Sequence, residues 1–147
     1  WTRVDVKSIS LLPNCLAKQA ARQRGAFEAW LIDRDGYVTE GASTNAWIVT
    51  EDDVLVTRQA DQSILNGVTR RALADIAVSQ GLTVQERPFT VAEALRGREA
   101  FVSASTLAAM PVISIDGVPV GSGKPGPIAQ RLWQHVRDHD AVSVAAE

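Results

Sequence analysis

The sequence predicts an α+β domain with a mixed, antiparallel-rich sheet flanked by helices. Two Asp-Gly pairs, at 35–36 and 116–117, stand between short apolar runs, and this dipeptide favours the tight turns of β-hairpins. Two segments, 11–24 and about 70–80, carry apolar residues at helical spacing and end at a glycine. Because hairpins and helices alternate without a regular strand-helix-strand series, the sheet is expected to be mixed rather than purely parallel.

The first half of the chain is predicted to contain five strands and one helix. Apolar and charged residues alternate in 4–7, as they do in a half-buried strand. The segment 11–24 has the helical period, and Gly25 is suited to the C-cap. The other predicted strands are 26–33, 37–39, 46–50 and 54–57, with a loop of small and polar residues at 40–44.

The second half is predicted to contain three helices and four strands. Gly67, Val68 and Thr69 lead into the helix of about 70–80, which Gly81 closes, and Thr90 caps a short helix that ends near residue 95. A last helix is predicted over 128–138 after a turn-rich segment. The predicted strands of this half are 83–87, 100–103, 112–115 and 118–120.

Length and composition limit the class of protein. The 147 residues are enough for one domain with a core, and 15 Lys and Arg against 17 Asp and Glu give a net charge of −2, which argues against nucleic-acid binding. A single cysteine excludes an internal disulfide and fits a reducing compartment, so a cytoplasmic location is expected. No signal peptide or membrane span is recognisable. Because the chain begins at Trp1 without a methionine, a processed chain or part of a longer one is expected.

Several suggestive motifs are better interpreted as ordinary structure. The segment 121–126 resembles a phosphate loop, but Pro125 follows Lys124 where a Ser or Thr would bind magnesium, so a turn is predicted. His135 and His139 have a metal-chelating spacing without an evident third ligand, so a solvated helix face is predicted and no metal site. Cys15 is expected to be a small buried apolar residue. Both histidines lie near the C-terminus, so a Ser-His-Asp or Cys-His hydrolase has little support.

Lysine is scarce, and a Schiff-base chemistry would have to use Lys7, Lys18 or Lys124. Lys18 is expected to face water from the middle of its helix, and Lys124 lies in a turn. Lys7 follows an apolar strand and precedes an apolar stretch, where partial desolvation would make its amine nucleophilic. The alternative is that Lys7 only faces solvent from an edge strand.

Three further segments contain groups suited to an anionic cofactor. Glu40 ends a strand and begins a loop of small residues. Gly67, Val68 and Thr69 stand directly before a helix, where amides and a hydroxyl can bind an anion. The segment 103–106, Ser-Ala-Ser-Thr, offers a second set of hydroxyls and amides. A lysine, a single carboxylate and two neutral anion-binding segments are the groups that hold pyridoxal phosphate, although each segment alone could be an ordinary loop.

A longer pattern resembles the class IV (fold-type IV) pyridoxal-phosphate-dependent aminotransferases, and most closely the D-amino-acid aminotransferases. The pattern is a Glu, a small residue, an Asn, an aromatic, Leu-x-Thr, and then Leu-x-Gly-aliphatic-x-Lys/Arg. It is met by Glu40, Ala42, Asn45, Leu55, Thr57, Leu65, Gly67, Val68 and Arg70. The one departure is Trp47, which keeps an aromatic where Phe or Tyr is usual. The run 7–14 and the segment 17–19 resemble the D-amino-acid subgroup, whereas branched-chain members have a Tyr where Leu12 stands. Ala108 departs from the acidic residue usual at its place, which affects the substrate pocket rather than the cofactor site.

The resemblance implies a role for each site residue. Lys7 would form the Schiff base with pyridoxal 5′-phosphate and move the proton during transamination, and Glu40 would bind the pyridine nitrogen. Leu65 would pack against the ring. Gly67, Val68, Thr69 and Ser105 would belong to the phosphate site, and Thr106 would approach the substrate.

The resemblance also implies domain organisation and function. Residues 1–147 correspond to the large, C-terminal cofactor-binding domain of the D-amino-acid aminotransferase-like fold, and the small N-terminal domain, with a phosphate-binding arginine, would lie upstream. A homodimer and transfer of an amino group from an amino acid, with D-alanine favoured, to a 2-oxo acid are expected. The alternatives are a branched-chain aminotransferase, an aminodeoxychorismate lyase of the same fold, or a non-catalytic cofactor-binding or interaction module.

Overall fold

A five-stranded mixed sheet organises the structure. The computed structural model describes residues 3–8 and 11–144, with side chains through residue 138. The sheet consists of β3 (Asn45–Val49), β4 (Leu55–Thr57), β5 (Val84–Glu86), β6 (Glu99–Ser103) and β7 (Met110–Val112), in the order β5-β4-β3-β6-β7. Its neighbouring strands are antiparallel except for β4 and β5, which are parallel.

Among the described residues, two hairpins and four helices surround this sheet. The hairpins are β1 (Trp30–Ile32) with β2 (Val38–Gly41), and β8 (Ser114–Ile115) with β9 (Val118–Pro119). The helices are α1 (Leu12–Gln23), α2 (Val68–Ser79), α3 (Val91–Arg96) and α4 (Pro127–Val144). This arrangement confirms the predicted α+β class with its mixed, antiparallel-rich sheet. In the described part of the chain, no helix is both long and apolar enough to cross a membrane.

The core lies on both faces of the sheet, because all five residues of β3 are buried. Successive side chains of a strand point to opposite faces, so Trp47 and Val49 pack into one layer while Ala46 and Ile48 pack into the other. The first layer also contains Leu55, Leu73, Ala77, Phe101, Ala109, Ala129 and Leu132, and the second Val38, Val56, Phe89, Ala94, Ala100 and Val120. The start of β3 and the end of β6, which line the cavity described below, therefore extend directly from this packed core.

The predicted roles of Gly25, Gly81 and Thr90 at helix ends are confirmed, whereas α4 continues to Val144, beyond its predicted end at residue 138. Gly25 and Gly81 follow α1 and α2 with φ of 74° and 80°, a conformation that glycine adopts without strain. The Thr90 hydroxyl accepts a hydrogen bond from the Glu93 N–H at 3.1 Å and so caps α3. α2 begins two residues earlier than predicted, at Val68, so that Gly67 becomes its N-cap.

Several strand predictions are wrong. Residues 4–7 do not form a strand: residues 4 and 5 form a turn, in which the Val6 N–H donates to the Arg3 carbonyl at 3.1 Å, and Lys7 lies in irregular structure. Of the predicted strand 26–33 only β1 is formed. Glu40 and Gly41, predicted to lie in the loop 40–44, belong to β2. The predicted strand 112–115 divides between β7 and β8, since Val112 pairs with β6 instead of continuing into the hairpin.

Candidate active site

One cavity of about 850 Å³ brings together segments that are far apart in the sequence. Its wall is formed by the turn before α1, one face of α1, the β2–β3 connection, the approach to α2, and the end of β6. Seven of the sequence-predicted site residues line it, namely Lys7, Glu40, Leu65, Gly67, Val68, Thr69 and Ser105. Thr106 is not among the lining residues and lies exposed in the turn after Ser105.

Glu40 places a buried carboxylate in this cavity. It stands in β2 rather than in a loop and is 5% exposed. Its Oε2 accepts hydrogen bonds from the Leu65 N–H at 3.0 Å and from Asn45 Nδ2 at 3.4 Å. Burial raises the pKa of Glu40 to about 7, against the smaller lowering by the Leu65 N–H. Within the described residues, no hydrogen bond is made to Oε1, so this oxygen is available to a donor in the cavity.

Asn45 connects Glu40 to the approach of α2. Besides its contact with Glu40, its Nδ2 donates to the Leu65 carbonyl at 2.9 Å. A Cβ on Gly67 would lie 2.7 Å from Asn45 Oδ1, so the backbone approaches this side chain as closely as only glycine permits. Asn45 belongs to the family-like sequence pattern, but the pattern alone assigns it no role. A buried amide in a strand that is otherwise apolar was the available signal.

The start of α2 offers unpaired amides to the cavity. The first N–H groups of a helix have no intrahelical acceptor. At α2 no side chain caps them, and the first turn has no acidic residue. Val68 and Thr69 lie in this first turn, and Ser105 faces the same cavity from the turn after β6. These amides and hydroxyls, with the positive end of the helix dipole, are suited to an anion such as a phosphate group.

The buried Arg70 side chain holds the start of α2 against the sheet. It is 1% exposed, and its Nη2 donates to the Arg58 carbonyl at 2.6 Å and to Glu86 Oε2 at 2.7 Å. Its Nη1 contacts Asn66 Oδ1 at 3.4 Å. Arg70 therefore ties the first turn of α2 to the end of β4 and to β5.

Lys7 lines the cavity but is exposed, and it does not follow a strand. The expectation that an apolar strand removes the Lys7 amine from water is therefore wrong. The Val4 N–H donates to the Gln62 carbonyl at 3.0 Å, which anchors the Lys7 segment beside the loop that leads to Leu65. Ile9 and Ser10, which belong to the run that resembles the D-amino-acid subgroup, lie outside the described residues.

Two predictions about α1 are wrong. Cys15 is exposed and lines the cavity, so it is not a buried apolar residue. Lys18 is not simply solvated, because its Nζ lies 3.1 Å from Glu28 Oε1, 3.4 Å from Ser43 Oγ, and 4.7 Å from the centre of the Phe27 ring. The helical period does not distinguish a solvent face from a face that borders an open cavity.

The remaining motifs take no part in the cavity. Lys124 is exposed in the predicted turn after Gly121, and His135 lies on α4. The side chain of His139 lies outside the described residues. In the part of the chain that the structure describes, no three His, Cys, Asp or Glu residues are placed to hold a metal ion.

Comparison with known proteins gives a consistent result. The family described as "Amino-transferase class IV" matches residues 1–115. D-alanine aminotransferase of Listeria monocytogenes is 43% identical over 135 residues, which are 92% of this chain and 46% of that protein. D-alanine aminotransferase of Bacillus licheniformis is 42% identical over 132 residues, 90% of this chain and 46% of that protein. The chain thus spans about half the length of these relatives.

A solved structure shares the fold. Branched-chain amino acid aminotransferase from Thermobaculum terrenum, determined in its PLP form, superposes with a TM-score of 0.86 at 28% identity. The superposition covers 92% of this chain and 45% of that one.

Proposed function

We propose, since the chain belongs to the class IV aminotransferase family, that it is the cofactor-holding part of a pyridoxal-phosphate-dependent aminotransferase. The enzyme would move an amino group from an amino acid to a 2-oxo acid. The observation that carries this proposal is the cavity in which an amine (Lys7), a buried carboxylate (Glu40) and the unpaired amides of α2 face one another. These groups complement the aldehyde, the ring nitrogen and the phosphate of the cofactor.

Two features of the cavity fit pyridoxal phosphate. Glu40 Oε1 receives no hydrogen bond within the described residues and can accept one from a protonated ring nitrogen. The amides of Val68 and Thr69, with the Thr69 and Ser105 hydroxyls, can bind the phosphate, and Leu65 can pack against the ring. When bound, the cofactor supplies a ring that accepts electrons from the substrate Cα.

Glu40 would keep the ring nitrogen protonated. Burial raises the pKa of this carboxyl to about 7, because its ionised form is removed from water. A cationic N–H donor directed at Oε1 favours the ionised carboxylate, and the resulting pair is strengthened by exclusion from water. The buried position of Glu40 therefore suits a partner that brings its own positive charge.

Lys7 would act as the base and acid. Its Nζ would bind the cofactor aldehyde until the substrate amino group displaces it. The freed amine would then take the proton from the substrate Cα and return it at C4′ of the cofactor. Thr106, exposed one residue beyond Ser105, remains our candidate for a substrate contact.

We favour a D-amino acid, such as D-alanine, as the donor. Relatives named D-alanine aminotransferase are 42–43% identical to the chain, whereas superposed branched-chain aminotransferases are 28–34% identical. Leu12 also stands where branched-chain members have a Tyr. Since the chain spans about half of its relatives, a small N-terminal domain and a homodimeric partner would supply the rest of the substrate pocket.

Reduction with borohydride tests the proposal. The protein, expressed from its complete coding sequence, is loaded with pyridoxal phosphate, reduced and digested, and the phosphopyridoxyl group is located by mass spectrometry. We expect the adduct on Lys7, with Lys7→Ala unlabelled and Lys124→Ala, a change at an exposed turn outside the cavity, labelled normally. An adduct on Lys18 or Lys124, or none, would refute the assignment.

Substrate assays separate the competing functions. A D-alanine aminotransferase releases one pyruvate per active site from D-alanine alone and forms more only when a 2-oxo acid accepts the amino group. Turnover of L-leucine instead would identify a branched-chain enzyme, and elimination without a 2-oxo acid would identify a lyase. An adduct on Lys7 without turnover of any donor would identify a non-catalytic cofactor-binding module.

A further inference from the structure

Glu28 is a buried carboxylate at the edge of the cavity that the transamination chemistry does not use. It lies between α1 and β1, and its side chain is 6% exposed. Both oxygens accept hydrogen bonds. Oε1 accepts from the Ala29 N–H at 2.9 Å and lies 3.1 Å from Lys18 Nζ, whereas Oε2 accepts from Ser43 Oγ at 2.9 Å and from Thr44 Oγ1 at 3.2 Å.

The segment that Glu28 contacts joins the two polar residues of the candidate site. Residues 41–44 connect Glu40 to Asn45 in four residues. The Gly41 N–H bonds the Thr44 carbonyl at 2.7 Å, which closes the segment on itself, and the Ala42 N–H bonds the Ala29 carbonyl at 2.9 Å. A Cβ on Gly41 would overlap the Thr44 hydroxyl, so the turn has little room to rearrange.

We propose that Glu28 is a positioning residue that fixes the 41–44 turn and thereby orients Glu40 and Asn45 toward the bound ring. The identity of that ring rests on the proposed function, but the effect on the turn does not. Helix α1 is fixed by the same contacts, since Lys18 reaches Glu28 while Asn14 Nδ2 donates to the Ala42 carbonyl at 3.0 Å.

The chemistry of the contacts requires a carboxylate. The Lys18 ammonium only donates, and the Ser43 and Thr44 hydroxyls donate to Oε2, so every partner needs an acceptor. A glutamine would present an amide NH₂ to one side of this set and would also remove the charge that balances Lys18. A buried charge left without its partner is costly, so one substitution disturbs the whole cluster.

The test compares Glu28→Gln with a matched control. Glu93→Gln makes the same change at another half-buried ion pair, in which Glu93 Oε1 lies 2.6 Å from Arg87 Nη2, away from the large cavity. Thr44→Val is the milder second variant, because it removes one donor to Glu28 and keeps the side-chain shape. Three quantities are measured on the protein from its complete coding sequence: amide exchange at residues 41 and 42 without cofactor, the Glu40 titration midpoint by ¹³C NMR, and pyridoxal phosphate affinity.

In Glu28→Gln we expect amide exchange at residues 41 and 42 to be at least about tenfold faster, as loss of a charge-assisted hydrogen bond implies. The Glu40 midpoint should fall toward its ordinary value as water reaches the carboxyl, and cofactor affinity should weaken about tenfold. Thr44→Val should shift all three in the same direction by less, and Glu93→Gln should shift none. A purely structural role would lower global stability and leave the Glu40 midpoint of the folded protein unchanged.

Wild-type exchange and an unchanged Glu40 midpoint in Glu28→Gln would overturn the positioning role, even if Lys7 carries the cofactor. If Glu28→Gln does not fold, unchanged amide exchange and an unchanged Glu40 midpoint in Thr44→Val would overturn the positioning role instead. Faster exchange and a shifted midpoint in a protein that binds no pyridoxal phosphate would support the effect on the turn while refuting the proposed function. The two proposals therefore fail by different measurements.

Discussion

Gly67→Ala is a one-methyl change whose two physical effects have opposite signs. Gly67 has φ of −61° and ψ of 141°, which alanine adopts without strain. Loss of backbone freedom in the unfolded chain alone would then stabilise the protein by about 0.4–1 kcal/mol. The new Cβ, however, would lie 2.7 Å from Asn45 Oδ1, and Asn45 is only 7% exposed.

The destabilising contact of the new Cβ with Asn45 should outweigh the stabilising loss of unfolded-chain entropy. To make room, the Asn45 amide has to turn, which breaks its hydrogen bonds to the Leu65 carbonyl at 2.9 Å and to Glu40 at 3.4 Å. At about 1 kcal/mol for each hydrogen bond the loss is roughly 2 kcal/mol. After the entropic gain is subtracted, we expect Gly67→Ala to lower the free energy of unfolding by about 1–2 kcal/mol.

Urea unfolding of a double-mutant cycle measures this directly. In the Asn45→Ala background the methyl group meets no amide oxygen, so Gly67→Ala should there be neutral or stabilising by up to about 1 kcal/mol. If the Gly67→Ala cost were the same in both backgrounds, or if the single variant were more stable than wild type, the close approach of Gly67 to Asn45 would not be what excludes a side chain.

Three other variants or treatments test separate parts of the site. The folded cofactor-free protein holds the Glu40 proton more tightly than the unfolded chain, with a pKa of about 7 against 4.5. The stability that this gives is fully present below pH 4.5 and is lost as the pH rises through 7, by up to about 3 kcal/mol, so urea unfolding of Glu40→Gln should lack that part of the pH dependence. Arg70→Lys cannot keep the contacts to both the Arg58 carbonyl and Glu86, and should lower the free energy of unfolding by about 1–3 kcal/mol in the same assay. A smaller loss would mean that the helix start does not depend on the guanidinium. Pyridoxal phosphate should slow alkylation of Cys15 by a maleimide severalfold, because the thiol lines the cavity, and an unchanged rate would place the cofactor elsewhere.

The elements with local signals were predictable, and those that depend on distant partners were not. Gly25, Gly81 and Thr90 end or begin helices by their own backbone and hydroxyl chemistry, so their roles follow from the sequence. Of β7 only Val112 falls within a predicted strand, because Pro111 interrupts the strand pattern before it. At the edge of the sheet, where β7 pairs only with β6, a proline is tolerated because one side of the strand needs no donor.

The same distinction applies to the candidate site. Residues within the family pattern, such as Glu40 and Gly67, could be named from the sequence because their spacing is local. The cluster of Glu28 with Lys18 and Ser43 could not, since a charged residue in a short apolar segment is ordinarily a solvent-facing strand residue. Its burial depends on α1 lying across the β2–β3 turn, which no local pattern specifies.

The pairing of β3 with β6 has a consequence for the order in which the protein folds. Asn45 stands directly opposite Ser103 in that pair, and both line the cavity. The contact from Trp47 Nε1 to Ser103 Oγ, 2.9 Å long, joins positions 56 residues apart. Closing so long a loop is entropically costly and slow compared with forming α1 or the β1–β2 hairpin. Refolding chains should therefore acquire their helices well before they can bind the cofactor, and binding competence should appear with the final, rate-limiting closure of the sheet.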